Sequence, residues 1–282
     1  MKKQNLILTI LAVVAIVAVG IAVWKIYKPS KVQSTNNEDI ATSTATTTKE
    51  FEEKTISDTN SFYDLGAKYP SDPLDINNEI ENFVNYKIKQ KQDEWKIGGE
   101  IYNAEQEVAK QFPSREKMTY TYDISYEKYE STDKGTVSYI FNTYEFTGGA
   151  HGVSVVNTFT FNKDGKVEID EILNLANNNN DIKLSKVLAE NILAKGDDIT
   201  TKDMLMEGLG LSYLKSDGIT LDKAKCACDG FFFGSNFQNF YITNAGITFI
   251  FGQYEVAPGA AGNVSVLLDW NTLKPYLINP NF

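Results

Sequence analysis

From Leu6 to Trp24 the chain runs nineteen residues without a charged side chain, between Lys2 and Lys3 on one side and Lys25, Lys28 and Lys31 on the other. A run of that length spans a hydrocarbon core as a helix, and Trp24 and Tyr27 fall where an interfacial aromatic belt sits. A cleaved signal peptide has a shorter apolar region and a small-x-small site, so the pattern predicts an uncleaved membrane anchor over 1–28. Residues 29–54 follow with almost no apolar content, most plainly in Ala41-Thr42-Ser43-Thr44-Ala45-Thr46-Thr47-Thr48. Such a stretch cannot bury enough surface to offset its ordering entropy and reads as a flexible Ser/Thr/Asn-rich stalk.

Past the stalk the hydrophobic period alternates between two and 3.6. Ser61 to Tyr69 alternates loosely and stops at Pro70, as a strand does. Ser71-Asp72-Pro73 supplies a cap and an early proline for a helix whose apolar residues Ile80, Phe83, Val84 and Ile88 share one face. After Gly98-Gly99 a second stripe, Ile101, Ala104, Val108 and Phe112, ends at Pro113, and both helices are expected to cover a sheet. Thr119 to Tyr129 alternates strictly, and Asp133-Lys134-Gly135 turns it back into Thr136 to Thr147 as a long hairpin. Val153 to Phe161 alternates again, and Asn162-Lys163-Asp164-Gly165 leads into Val167 to Ile169. Consecutive strands of this kind predict an antiparallel sheet with one face in water.

Asp181 reads as the cap of a helix bearing Leu184, Val187, Leu188 and Ile192, and Asp203 to Leu214 as a shorter helix weakened by Gly208 and Gly210. Asn236 to Ile242 and Ile247 to Phe251 form a hairpin, Val264 to Leu268 a last strand, and Asn271 to Leu277 a short helix. No fixed period recurs, which argues against a solenoid. The expected class is α+β: an antiparallel β-sheet with helices packed on one face, divided into 55–115 and 116–282.

Charge narrows the partners. The net charge is −10, with 37 acidic residues against 27 basic, and five of the basic ones lie in the first 31 positions. The remainder is strongly acidic, which repels phosphate backbones, argues against nucleic acid and permits steering of cationic partners.

The stretches that stand out chemically are two glycine-rich segments, each at the end of an aromatic strand: Tyr144-Glu145-Phe146-Thr147-Gly148-Gly149-Ala150-His151-Gly152 and Gln253-Tyr254-Glu255-Val256-Ala257-Pro258-Gly259-Ala260-Ala261-Gly262. Glycine at such places permits positive φ or a close approach. His151, the sole histidine, has the chemistry of a general base with Glu255 as its carboxylate partner; alternatively both residues shape loops by bonding backbone. No G-x-S-x-G, no H-E-x-x-H and no second histidine accompany them, which argues against a histidine-dependent metal hydrolase and calls for no cofactor. Cys226 and Cys228 are the only cysteines, and spacing leaves structural thiols and a redox pair both open. The row of tyrosines from Tyr120 to Tyr129 serves either as core or as an aromatic binding face.

Those two segments resemble the paired signatures of the bacterial domain of unknown function 3298, the RsiV C-terminal-like domain. The stretch from about Thr55 to Gln111 resembles the companion domain of unknown function 4163, PdaC-like, that stands before it. The resemblance implies an extracytoplasmic α+β module, found in membrane-anchored anti-sigma factors that sense lysozyme by binding it and as an accessory part of some peptidoglycan deacetylases. Met1 to Asn5 is too short to hold a sigma factor, and one histidine does not furnish a deacetylase metal site. The expectation is therefore a non-catalytic binding or sensing module on a membrane tether, outside the cytoplasm, with a lysozyme-like protein or peptidoglycan as partner. Its candidate binding residues are Glu145, Gly148, Gly149, His151, Gly152, Tyr254, Glu255 and Pro258. The alternatives are an envelope glycan hydrolase using paired carboxylates such as Glu145 and Glu255, and a purely structural envelope protein.

Overall fold

The computed structural model describes residues 52–115, 117–196, 200–226, 233–280 and 282. The expected anchor and nearly all of the expected stalk lie outside these. Among the described residues no helix is long and apolar enough to cross a membrane.

The chain is α+β, built on two sheets. The larger has six strands in sequence order: β1 (Glu52–Thr59), β2 (Tyr63–Ser71), β3 (Tyr120–Ser131), β4 (Thr136–Phe146), β5 (Val153–Asn162) and β6 (Gly165–Lys166). The smaller has β7 (Phe240–Thr243), β8 (Gly246–Phe251) and β9 (Val264–Asp269), also in order. Strand β1 includes residues of the stretch read as stalk, because Glu52, Glu53 and Lys54 pair with Ser71, Pro70 and Tyr69. Pro70 ends no strand: beyond Ala67, β2 has β1 as its one partner, so the missing N–H is tolerated.

Two expectations about the large sheet need correction. It is not antiparallel throughout, since β2 and β3 run parallel from Tyr63↔Tyr120 to Ala67↔Ile124. The helices α1 (Glu79–Glu94) and α2 (Glu100–Gln111) carry the chain back between them, which is the long crossover that parallel neighbours need. Nor does the sheet keep one face wet at its centre: β4 is buried at every position from Thr136 to Phe141.

The two sides of β4 are covered by different things. Val137, Tyr139 and Phe141 face the core that α1 closes with Ile80, Val84 and Ile88, with Trp95 at its end. Asp75, not Ser71 or Asp72, starts α1: its carboxylate accepts from the Glu79 and Ile80 amides at 2.7 and 2.9 Å. The second helix departs from its pattern, because no residue of α2 is buried and Phe112 stands 58% exposed. A short helix α3 (Ile169–Ile172), then α4 (Asn180–Ala194) and α5 (Lys202–Gly208), pack with β7–β9 in a separate core that includes Leu184, Leu188, Phe249 and Leu268. The residue before α4 is Asn179 at φ 55, so Asp181 falls in the first turn instead of capping it. The C-terminal helix α6 (Trp270–Leu273) is capped by Asp269, whose carboxylate accepts from Thr272 N at 2.7 Å.

On its other side β4 meets the small sheet. β7 is an edge strand, and its outward amides do not face water. Phe240 N donates to Thr158 Oγ1 of β5 at 2.9 Å, and Ile242 N to Ser138 Oγ of β4 at 3.2 Å. Ser138 in turn shares a hydrogen bond with Thr160 Oγ1 at 2.9 Å. Ile140, Val156 and Ile250 fill the space between the sheets, and Tyr129 stacks on Tyr241 with ring centroids 4.1 Å apart. Asn244 in the β7–β8 turn accepts from Ser131 Oγ at 2.8 Å, so the contact runs the length of the small hairpin. Hydroxyls on a sheet face thus do the work of a neighbouring strand, satisfying donors whose burial unpaired would be costly.

That arrangement gives a measurable expectation. Ser138→Ala leaves the buried Ile242 amide without an acceptor, which costs ~1–3 kcal/mol in urea unfolding. A change below ~0.5 kcal/mol, the ordinary scatter of neutral substitutions, would show that the hydroxyl does not hold the edge.

Candidate functional site

The first glycine-rich segment is the loop of the β4–β5 hairpin, whose ladder stops at Glu145↔Val153. Gly148 and Gly149 both sit at φ 102, a region that side chains other than glycine's rarely enter. Gly152 has extended room for nothing else: a Cβ there would fall within 2.6 Å of the Tyr144 hydroxyl, because the tyrosine ring lies on the glycine.

The second segment follows β8. Gly252 and Glu255 close a tight turn, with Glu255 N donating to Gly252 O at 3.1 Å and Gly252 N to Glu255 Oε2 at 2.8 Å. Tyr254 within it stands at φ 70, one of four non-glycine residues with positive φ among those described. Its ring lies on Gly259, where a Cβ would overlap it, and Pro258 leads that glycine into a single 3-10 turn. Each tyrosine therefore has its own glycine as a seat. Gly208 at the end of α5 has the same kind of reason to be glycine, since a side chain there would run into the Glu255 carbonyl.

The two segments meet. The Tyr254 hydroxyl lies 3.5 Å from His151 Nε2, a long hydrogen bond, while His151 Nδ1 donates to Gly152 O at 2.9 Å. A carbonyl only accepts, so in the neutral ring Nε2 is left as the acceptor for the phenol. Gln253 ties the loops more firmly: its Oε1 accepts from Ser154 N at 3.1 Å and its Nε2 donates to Gly259 O at 2.9 Å. Sequence reasoning passed over Gln253, which has no motif chemistry of its own. The result is a rim on which Tyr144 is 41% and Tyr254 56% exposed, with exposed His151 between the loops.

Glu145 looks the other way. It follows Tyr144 in β4, so its side chain emerges on the opposite face of the sheet. There Lys91 of α1 donates to Glu145 Oε1 at 2.7 Å and to Glu94 Oε2 at 2.9 Å, with its ammonium 5.2 Å from the Trp95 ring and 5.6 Å from that of Tyr122. Burial works against the Lys91 charge, but the hydrogen bonds to Glu145 and Glu94 outweigh it and raise its pKa. Burial pushes the Tyr122 phenol up to about 12, with the Glu145 charge adding to the effect. A cleft of about 240 Å³ opens here, between α1 and the ends of β4 and β5.

The eight candidate residues thus separate. Gly148, Gly149, His151, Gly152, Tyr254 and Pro258 build the rim, Glu255 shapes its turn, and Glu145 belongs to the cleft. Glu145 is committed to Lys91 and Glu255 to the Gly252 amide, so the structure gives these carboxylates separate tasks. No group of three His, Cys, Asp or Glu side chains suited to a metal occurs among the described residues. Cys226 is buried and disulfide-bonded; Cys228 lies outside the described residues.

Comparison with known proteins agrees with the resemblance drawn from the two glycine-rich segments. Residues 21–154 match the family model described as Deacetylase PdaC, and residues 175–271 match that described as Protein of unknown function (DUF3298). The β4–β5 loop falls in the first match and the Gly252–Gly262 loop in the second, so the rim draws on both. The chain is 30% identical over 146 residues to the peptidoglycan-N-acetylmuramic acid deacetylase PdaC of Bacillus subtilis strain 168, covering 51% of this chain and 27% of that protein. This chain thus spans about a quarter of the length of that relative. A crystal structure of a DUF3298 family member from Bacteroides fragilis superposes with a TM-score of 0.52 at 17% identity, over 82% of this chain and 94% of that one. Another, from Pseudomonas aeruginosa, gives 0.47 at 13%, over 83% and 95%. The Bacteroides structure shares the mixed α+β fold.

The electrostatics of the cleft yield a pH expectation. The folded state keeps the Tyr122 proton to about pH 12, whereas an unfolded phenol releases it near ~10. A raised pKa of this sign leaves stability whole below ~10 and removes it as pH climbs toward 12. Tyr122→Phe should flatten that part of the alkaline unfolding curve relative to the unaltered chain; superimposable curves would show that Tyr122 does not contribute.

Proposed function

We propose that this chain is a binding module of the bacterial cell envelope, tethered outside the cytoplasm by its Leu6–Trp24 segment, that holds peptidoglycan on the rim formed by its two glycine-rich loops. It performs no reaction of its own there. The observation that carries this reading is Tyr254. A tyrosine at φ 70 costs ~1 kcal/mol or more, yet this one is held there by Gly259, the Gly252 turn and His151 while keeping 56% of its surface in water. Strain kept for core packing would end in burial, whereas here it ends in presentation. Tyr144, seated on Gly152 in the neighbouring loop, adds a second flat face.

Tyrosine offers a large rigid surface with a polar tip and loses little entropy on binding, which suits it to sugar rings and to peptides alike. Peptidoglycan is favoured because the part that resembles PdaC reaches across β4 to residue 154 and so includes the first loop. That relative is named for action on peptidoglycan, so the polymer is the ligand proposed for the part this chain shares with it. The hydrolase alternative called for paired carboxylates, and Glu145 and Glu255 are engaged by separate partners, Lys91 and the Gly252 amide.

The test uses the full chain in detergent, sedimented with purified sacculi. Tyr254→Gly removes the ring and at the same time relieves the positive φ, so it should leave the unfolding midpoint unchanged or higher while weakening binding at least ~tenfold. Gly259→Ala, which displaces the same ring, should weaken binding to a similar degree. Undiminished binding by Tyr254→Gly, or no sedimentation of the unaltered chain, would overturn the proposal.

A further inference from the structure

A second cleft, of about 260 Å³, opens where the end of α5, the 3-10 stretch Phe233–Phe237 and the end of β8 meet the Gly252–Glu255 turn that carries Tyr254. We propose that it is a subsite for a primary ammonium group, which in peptidoglycan is the free side-chain amine of the diamino acid in a stem peptide. This rests on the reading that the chain binds peptidoglycan, and it adds which group of that polymer the cleft selects.

The inference starts from Asn236, which lines the cleft and is only 7% exposed. Its Nδ2 donates to Ser185 Oγ of α4 at 2.9 Å and to Leu209 O at 3.1 Å. A carbonyl only accepts, so the nitrogen is the end that faces Leu209, and Oδ1 is held at the other end of the amide. Among the described residues no donor reaches Oδ1, yet the atom is not sealed in. The shielded side-chain atoms without a partner are Trp95 Nε1, Thr136 Oγ1, Thr143 Oγ1 and Asn157 Oδ1. An open acceptor fixed by two bonds at its other end is pre-organised for a donor that enters the cleft.

Charge selects the donor. Glu255 lines the cleft and spends Oε2 on the Gly252 amide at 2.8 Å, which leaves Oε1. No lysine or arginine lines the cleft among the described residues, and the chain carries a net charge of −10. An anion would meet Glu255 with nothing to neutralise it, whereas a cation gains from the near carboxylate and from the field of the whole protein. Gln238 and Asn239 also line the space. Their amides present a carbonyl or an N–H according to the ligand, and toward a cation the carbonyl turns inward. A hydroxyl would use one of these acceptors. An ammonium carries three donors and no acceptor, which matches the set more fully.

Size and place agree. The space is smaller than the roughly 300–1,000 Å³ of pockets that enclose a drug-sized ligand, so it suits one group and its stem. Glu255 follows Tyr254 directly, and the same tight turn sets both the exposed ring and the carboxylate. A polymer seated on the ring therefore has the carboxylate of the cleft beside it.

The experiment sediments the full chain in detergent with native sacculi and with sacculi N-acetylated by acetic anhydride, which turns each amine into a neutral amide. Native sacculi should bind at least ~tenfold more tightly. Glu255→Gln keeps an acceptor for the Gly252 amide while removing the charge, and Gln238→Lys sets a competing cation at an exposed position. Each should erase most of the difference while leaving the unfolding midpoint near that of the unaltered chain. n-Butylammonium chloride should shift the Asn236 side-chain amide resonances of the isotope-labelled chain, and n-butanol should not. Tyr254→Gly should weaken native and acetylated sacculi together, because it acts on the rim. Equal binding of the two, a preference that survives both cleft variants, or Asn236 signals that ignore the amine would overturn the ammonium subsite and leave the peptidoglycan reading in place. So would a lysine-rich peptide that fills the cleft while acetylation of the sacculi changes nothing, which would make a cationic protein the occupant. Failure of both kinds of sacculi to bind would overturn both readings.

Discussion

The docking of β7 onto the face of the large sheet is the contact on which the rest of the molecule depends. An edge strand presents a row of amides that need acceptors, and here two of them find Thr158 and Ser138 instead of another strand or water. The consequence is geometric. With the small hairpin fixed across β3, β4 and β5, the loop after β8 is carried to the tip of the β4–β5 hairpin, where Gln253 bonds Ser154. The union also explains why β4 is buried on both faces, with Tyr139 and Phe141 toward α1 and Ser138 and Ile140 toward β7 and β8.

The glycines of the two loops follow from the tyrosines. Gly152 and Gly259 are the surfaces on which Tyr144 and Tyr254 rest, and any side chain at either would lift its ring. The Lys91, Glu145 and Glu94 cluster serves the other face, where it fixes α1 to the end of β4 and sets the charge of the cleft.

Much of this was legible in the chain. Strict alternation from Tyr120 to Tyr126 located β3, Asp133-Lys134-Gly135 located its turn, and the spacing of Ile80, Val84 and Ile88 located the buried face of α1. The glycine-rich segments were correctly singled out as close-approach loops. Other features were hidden for physical reasons. Parallel pairing of β2 with β3 depends on where α1 and α2 return the chain, which no local period encodes. Burial on both sides of β4 looks like ordinary alternation, because Ser138 and Thr136 are polar, and Ser138 meets hydroxyl and amide partners in place of water. The stripe on α2 suggested a buried face that tertiary packing supplies only in part, with Ile101 half-buried against the core and no α2 residue fully buried. Glu145 was grouped with the rim because it lies in the motif, but strand alternation sends it to the cleft, and Gln253 carries no signal except its contacts.

Native-state hydrogen exchange at Phe240 and Ile242 tests most directly whether the hydroxyl-held edge unites the two sheets. If it does, both amides exchange only through global unfolding, with the same free energy and denaturant dependence as the centre of β4 at Tyr139. Exchange of the two β7 amides through a smaller opening, while Tyr139 remains protected, would contradict the account: the sheets would then part independently, and the rim would not be a fixed surface.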